Sequence, residues 1–322
     1  MSDEAQGGTR RPTAAQIYRA AKAARDNGPT MWMDPPPPLE ADTLWRGLTR
    51  DGEIRILVAR SLQTAAEICG RLGCSADAAV QLTEALIAVQ LLRSTVNPDT
   101  QMQLLLQHDG SLGQMVVDAW PDGGMRGYVA NPSATGPVEA LIGAGTATVV
   151  RYSQQAGSYR SNMRLEGEGI EALAMRYLLE SEQILGLLRL SVRASEGRLT
   201  AASGYLLQVT PEGTHDDLRR LVENLDKLDT LDVGQSDADP DGRQWATALM
   251  DGFRWDQCAR QELAFSCRCS HERVMTTLAA LPRTDLHDMV ADGQVIETIC
   301  EYCKERYRVD ISHLAALLEL PS

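Results

Sequence analysis

The sequence predicts an α+β fold in which an antiparallel sheet domain with packed helices is followed by a helical linker and a small cysteine-centred domain. Three observations predict it. Between residues 53 and 209, short β-prone runs meet at turn pairs such as Asp109-Gly110 and Glu196-Gly197 and mix with helical stretches, without regular βαβ alternation. From Thr214 onward, apolar residues recur at helical spacing in a strongly charged background. Near the C-terminus, four of the seven cysteines form two tight pairs, Cys267-Arg268-Cys269 and Cys300-Glu301-Tyr302-Cys303.

At 322 residues the chain is long enough for a full core and more than one domain. With 2 Phe, 5 Trp and 8 Tyr, that core must rest on aliphatic side chains and Met. No apolar run approaches the length of a membrane helix. The net charge of −13 opposes general nucleic-acid binding, which needs clustered Lys and Arg. No membrane partner and no nucleic-acid partner is therefore expected.

Residues 1–43 form a flexible N-terminal extension in this reading, because Pro35–Pro38 stops any helix and favours an extended linker. A core domain then spans residues 44–211. Glu53–Ala59 reads as a strand and Ser61–Leu72 as an amphipathic helix; Ser75 caps a longer helix over Ala76–Ser94. Strands follow at Thr100–His108, Gly113–Trp120, Met125–Ala130, Thr146–Ser153 and Ser158–Glu166. Ile170–Glu180 is a helix, and Leu185–Val192 with Leu199–Val209 make a closing hairpin.

The linker region, residues 212–262, carries two helical patterns. Thr214 with Asp217 reads as a capping arrangement ahead of Leu218, Leu221, Val222, Leu225 and Leu228. Gly234–Gly242 reads as a loop, and Gln244–Trp255 as a second helix with Trp245, Leu249, Met250 and Phe253. Periodicity alone leaves open whether these helices are a permanent cover or a removable one.

The C-terminal domain, residues 263–322, is organised by its cysteines. Ser270 caps a helix through Leu281 with Val274, Leu278 and Leu281 on one face. Asp292-Gly293 is a turn, Val295–Ile299 and Arg306–Val309 are strands, and Asp310–Leu318 is a closing helix. Zinc favours four thiolates in a tetrahedron, so Cys267, Cys269, Cys300 and Cys303 are the expected ligands of one Zn2+ per chain. A disulfide framework would need an oxidising compartment, whereas the N-terminus resembles no secretory signal; a cytoplasmic location is expected. The single residue between Cys267 and Cys269 is shorter than most zinc knuckles, and a disulfide there closes a tight ring of the labile, regulatory kind.

Other candidates are weaker. Gly143-x-Gly145 lacks the third glycine and the following helix of a dinucleotide site, and lone His108 reads as filler. Cys69 and Cys74 read as buried, inert thiols, and Cys258, His271 and His287 as non-ligands. No catalytic constellation is present, so the chain is read as a non-enzyme. A catalytic zinc would need an open coordination position, which four thiolates do not leave. The remaining alternative, a zinc module that binds a partner protein or nucleic acid, is weakened for nucleic acid because Asp and Glu outnumber Lys and Arg after residue 262.

Phe265-x-Cys267-x-Cys269-Ser270-x-Glu272-Arg273 and Cys300-x-Tyr302-Cys303, followed by Tyr307, resemble the heat shock protein 33 family of redox-regulated holdase chaperones. Ala88–Thr95, Met125-Arg126-Gly127, Arg176–Gln183 and Ala201–Pro211 resemble family segments in the same order. The resemblance implies an ATP-independent chaperone that binds unfolding proteins under oxidative stress, often as a dimer when oxidised. It further implies that disulfide formation within each cysteine pair releases zinc and undocks the linker helices.

Overall fold

The computed structural model describes residues 42–155, 157–210, 213–230, 243–293 and 295–310, with 312, 313 and 315. Residues 1–41 of the extension expected over 1–43 and the loop over Gly234–Gly242 lie outside these residues, as does most of the expected closing helix. Asp42 and Thr43, expected in the flexible extension, are instead buried, with Thr43 opening a strand. Thirteen strands and eight helices are seen among the described residues.

Helix α1 (Leu62–Leu72) leads into α2 (Ala76–Arg93), where the Ser75 hydroxyl accepts the Ala78 N–H at 3.1 Å. Fourteen residues of α2 are buried and they lie on every side, so it is a central helix with no solvent face. Around it close two sheets. The first runs β10-β1-β2-β9-β8, built from Trp255–Glu262, Thr43–Thr49, Ile54–Arg60, Arg198–Val209 and Gly186–Ser195. The second runs β11-β5-β4-β3-β6-β7, built from Ala264–Phe265, Gly124–Val129, Met115–Ala119, Gln101–His108, Ala144–Ser153 and Gly157–Glu166. A short α3 (Val138–Leu141) and α4 (Ile170–Glu180) complete this part.

Side chains alternate across a strand, and in β2 and β9 both parities are apolar. Leu57, Ala59 and Leu206 face the α2 core, whereas Ile54, Ile56, Val58, Tyr205 and Leu207 face a second cluster. That second face is covered by α5 (His215–Thr230) and α6 (Arg243–Leu249) through Leu221, Ala246, Leu249 and Met250. The expected cap is present: the Thr214 hydroxyl accepts the Asp217 N–H at 3.2 Å, and the Asp217 carboxylate accepts the Thr214 N–H at 2.9 Å. Val222, expected in the apolar stripe, is instead exposed. The Asn224 amide ties α5 to the end of α6, donating to the Leu249 and Asp251 carbonyls at 2.9 Å.

Three elements depart from the sequence reading. The helix expected over Gln244–Trp255 ends at Leu249, and the segment read as a helical linker also supplies strand β10, antiparallel to β1. Strand β1 went unread because Gly47 interrupts it; a Cβ there would press on Ile56 and the Trp255 ring at about 3 Å. A second helix in the cysteine region, α8 (Arg283–Ala291), follows the expected α7 (His271–Ala279).

Candidate metal centre

Two turns bring the four cysteine sulfurs together. The first follows β11, whose Ala264 and Phe265 pair in parallel with Gly124 and Met125, so Cys267 begins one residue beyond the core sheet. The second lies between β12 (Ile296–Ile299) and β13 (Arg306–Val309), antiparallel with Ile299 opposite Arg306. The Cys300 N–H donates to the Glu305 carbonyl and the Lys304 N–H returns to the Cys300 carbonyl, both at 2.9 Å. Lys304 takes a left-handed φ of 60° to close this knuckle.

All four sulfurs lie within 4.8 Å of one another. Cys267 and Cys269 are 3.3 Å apart, Cys269 and Cys303 3.3 Å, and Cys267 and Cys300 3.7 Å. A tetrahedron with metal–sulfur bonds of about 2.3 Å has sulfur–sulfur edges of about 3.8 Å, so this donor set fits a four-thiolate ion. No cysteine is in a disulfide. Desolvation pushes the Cys303 thiol up, with its three cysteine neighbours acting in the same direction. Gathering four thiolates here therefore calls for a compensating positive charge. The Tyr307 hydroxyl donates to the Cys269 sulfur at 3.0 Å, a supporting contact for one prospective ligand.

The surrounding module is thin. Among the described residues, the module's own cluster has two buried apolar residues, Leu286 and Val309, with Val274, Leu278, Leu281 and Ile296 packed partly against them. The predicted helix face is thus present, but it closes a very small core.

Several core residues that the sequence reading gave no role meet this module. Arg126 of β5 pairs with Asp118 at 2.7 Å and sits 3.7 Å from the centre of the Tyr302 ring. Tyr128 meets the same ring edge-on at 5.0 Å. Burial pushes the Tyr302 phenol up, and the Asp118 carboxylate adds to it. Arg268 pairs with Asp122 at 2.9 Å and lies 4.4 Å over Trp120. Arg71 of α1 lies 4.8 Å over Phe265. Gly123 is required at the β4–β5 turn because a Cβ there would collide with the Glu262 carbonyl. The one available signal for Arg126 was its place in the family-like Met125-Arg126-Gly127 segment.

The remaining candidates fall elsewhere. The His108 Nδ1 accepts the Gly110 N–H at 3.1 Å, and burial lowers its pKa, so it acts as a neutral turn acceptor. Cys258 lies on exposed β10, away from the four-sulfur group. His271 stacks edge-on with His313 at 6.1 Å and is not part of that group.

The Hsp33 protein family profile matches residues 42–310. A 33 kDa chaperonin of Symbiobacterium thermophilum is 32% identical over 83% of this chain and 94% of its own. One from Thermus thermophilus is 32% identical over 85% of each, and one from Geobacter is 29% identical over 86% of this chain and 97% of its own. A Thermotoga maritima crystal structure described as a 33 kDa chaperonin, a heat shock protein 33 homolog, superposes with a TM-score of 0.73 at 22% identity. It covers 87% of this chain and 98% of its own, and it shows the same fold.

Proposed function

The chain belongs to the Hsp33 protein family, and from that premise we propose that it is a redox-regulated, ATP-independent holdase for unfolding proteins. Residues 44–211 are its chaperone core, 212–262 the linker and 263–322 the switch. Cys267, Cys269, Cys300 and Cys303 hold one Zn2+ in the reduced state. The observation that carries the reading is the four-sulfur group within 4.8 Å, set in a module whose own cluster has two buried apolar members among the described residues.

When bound, the ion supplies folding free energy, on the order of 10–16 kcal/mol for small modules of this type. Each thiol pair can give two electrons and two protons to one hydrogen peroxide, forming one disulfide and two waters. Pairing Cys267 with Cys269 and Cys300 with Cys303 removes all four sulfurs as ligands. The module then has too little apolar burial to stay folded. Its contacts through Tyr302, Arg268 and β11 are lost with it, and α5 and α6 are freed from the face formed by Ile54, Ile56, Val58, Tyr205 and Leu207. That face is the surface offered to clients, and a pair of oxidised chains is the expected active form.

The deciding experiment measures zinc per chain and light-scattering protection of a denaturing test protein, before and after peroxide at mildly elevated temperature. Loss of one zinc per chain together with gain of protection is expected. Equal protection by the reduced, metal-replete protein overturns the switch.

A further inference from the structure

A second thiol pair lies in the core, at the end of α1. That helix closes with Gly73 in a left-handed conformation (φ 70°), the Gly73 N–H bonded to the Gly70 carbonyl at 3.3 Å and the Cys74 N–H to the Cys69 carbonyl at 3.0 Å. This doubled bond pattern is the Schellman cap, which sets the side chain two residues past the helix against the one three back from its end. Here both side chains are thiols. The backbone hydrogen bond from the Cys74 N–H to the Cys69 carbonyl keeps their Cα atoms no more than about 7 Å apart, close to the upper limit for a disulfide. Cys69 is 6% exposed and also contacts the Thr83 hydroxyl at 3.9 Å, whereas Cys74 is half-buried and reachable.

We propose that Cys69 and Cys74 form a peroxide-oxidisable dithiol, a second redox site separate from the four-cysteine group. The half-exposed Cys74 sulfur, as thiolate, attacks one oxygen of hydrogen peroxide and leaves a sulfenic acid and hydroxide. The Cys69 thiol then attacks the Cys74 sulfur, expelling a second hydroxide that takes up the thiol proton as water. Two thiols are oxidised to one disulfide and one peroxide is reduced to two waters. The surroundings favour Cys74 as attacker: the neighbouring Cys69 thiol chiefly, and the Lys304 cation with it, hold its pKa below the ordinary thiol value. The site does not depend on the function proposed above.

Arg71 makes the test direct, because trypsin separates Ser61–Arg71 from Leu72–Arg93, and once the Arg71–Leu72 bond is cut only a disulfide can join them. Peroxide treatment of the full chain, followed by alkylation and peptide mass mapping, is expected to yield the joined peptide, which reduction dissolves. Cys74→Ser and Cys69→Ala should each abolish it while leaving reduced-state zinc content unchanged. The joined peptide reads this site alone, so failure of the four-cysteine switch does not alter it. Cys69 still open to alkylation after Cys74 has oxidised, or Cys74 joined to a different cysteine or chain, overturns the proposal.

Discussion

The α2 core and the cysteine module are held together by different physics. Around α2, the first cluster gathers 42 buried apolar residues from both sheets and several helices, so losing one contact leaves many. In the module, the cluster among the described residues has only Leu286 and Val309 as its buried members, and four sulfurs from two turns lie beside it. Burial of apolar surface responds to temperature and denaturant, whereas thiolate ligation also responds to oxidant and chelator. With the proposed ion held by these sulfurs, such a chain would lose one part chemically and keep the other.

The contrast breaks if the two parts respond alike. The largest expected effect is Cys300→Ser or a strong chelator: the module should unfold, losing on the order of 10 kcal/mol of ligation energy. Hydrogen exchange would then rise across β12 and β13 and stay slow in α2. Next is Leu86→Ala in α2, where Leu86 is fully buried. It should cost the core about 2–5 kcal/mol in denaturant unfolding and leave zinc content unchanged. Leu249→Ala, also fully buried but under the α5–α6 cover, should cost a similar or smaller amount locally. It sharpens the comparison because client protection should then rise in the reduced protein without zinc loss.

A smaller effect comes from pH. Burial, with the Glu171 carboxylate nearby, raises Glu84 in α2 to about 7. The folded state therefore holds a proton that the unfolded state has lost between the ordinary carboxylate range and about pH 7. Stability from this group should be greatest below that window and fall as pH rises through it, by about 1–3 kcal/mol in all. Urea midpoints between pH 5 and 8 check this, and Glu84→Gln should flatten the trend. The smallest is Ser75→Ala, expected to cost about 1 kcal/mol by removing the α2 cap.

How much of this was legible follows from how local each signal is. Ser75 and the apolar run behind it gave α2 almost to the residue, because a cap and a helix are short-range features. Turn pairs such as Glu196-Gly197 gave the hairpins for the same reason. Strand β10 (Trp255–Glu262) was unreadable because it is a largely polar edge strand held chiefly by backbone pairing with β1. Helix α8 buries Leu286 alone, so it shows little apolar periodicity. At the candidate metal centre, cysteine type and spacing pointed to the four sulfurs that the structure brings within 4.8 Å of one another. The contact of Tyr302 with Arg126 and Tyr128 joins residues far apart in sequence, and no local pattern encodes it.

Strands β10 and β11 are nearly continuous, separated only by Leu263, and they belong to different sheets. A pull starting at Cys267 meets the two-residue pairing of β11 first, then the buried Leu263, whose N–H is fastened to the Asp42 carbonyl at 2.9 Å. Only beyond it does the longer β10 seam begin. The chain therefore resembles a zip fastener with its slider at the cysteine end and a stop at residue 263, and it can open by one tooth or all the way.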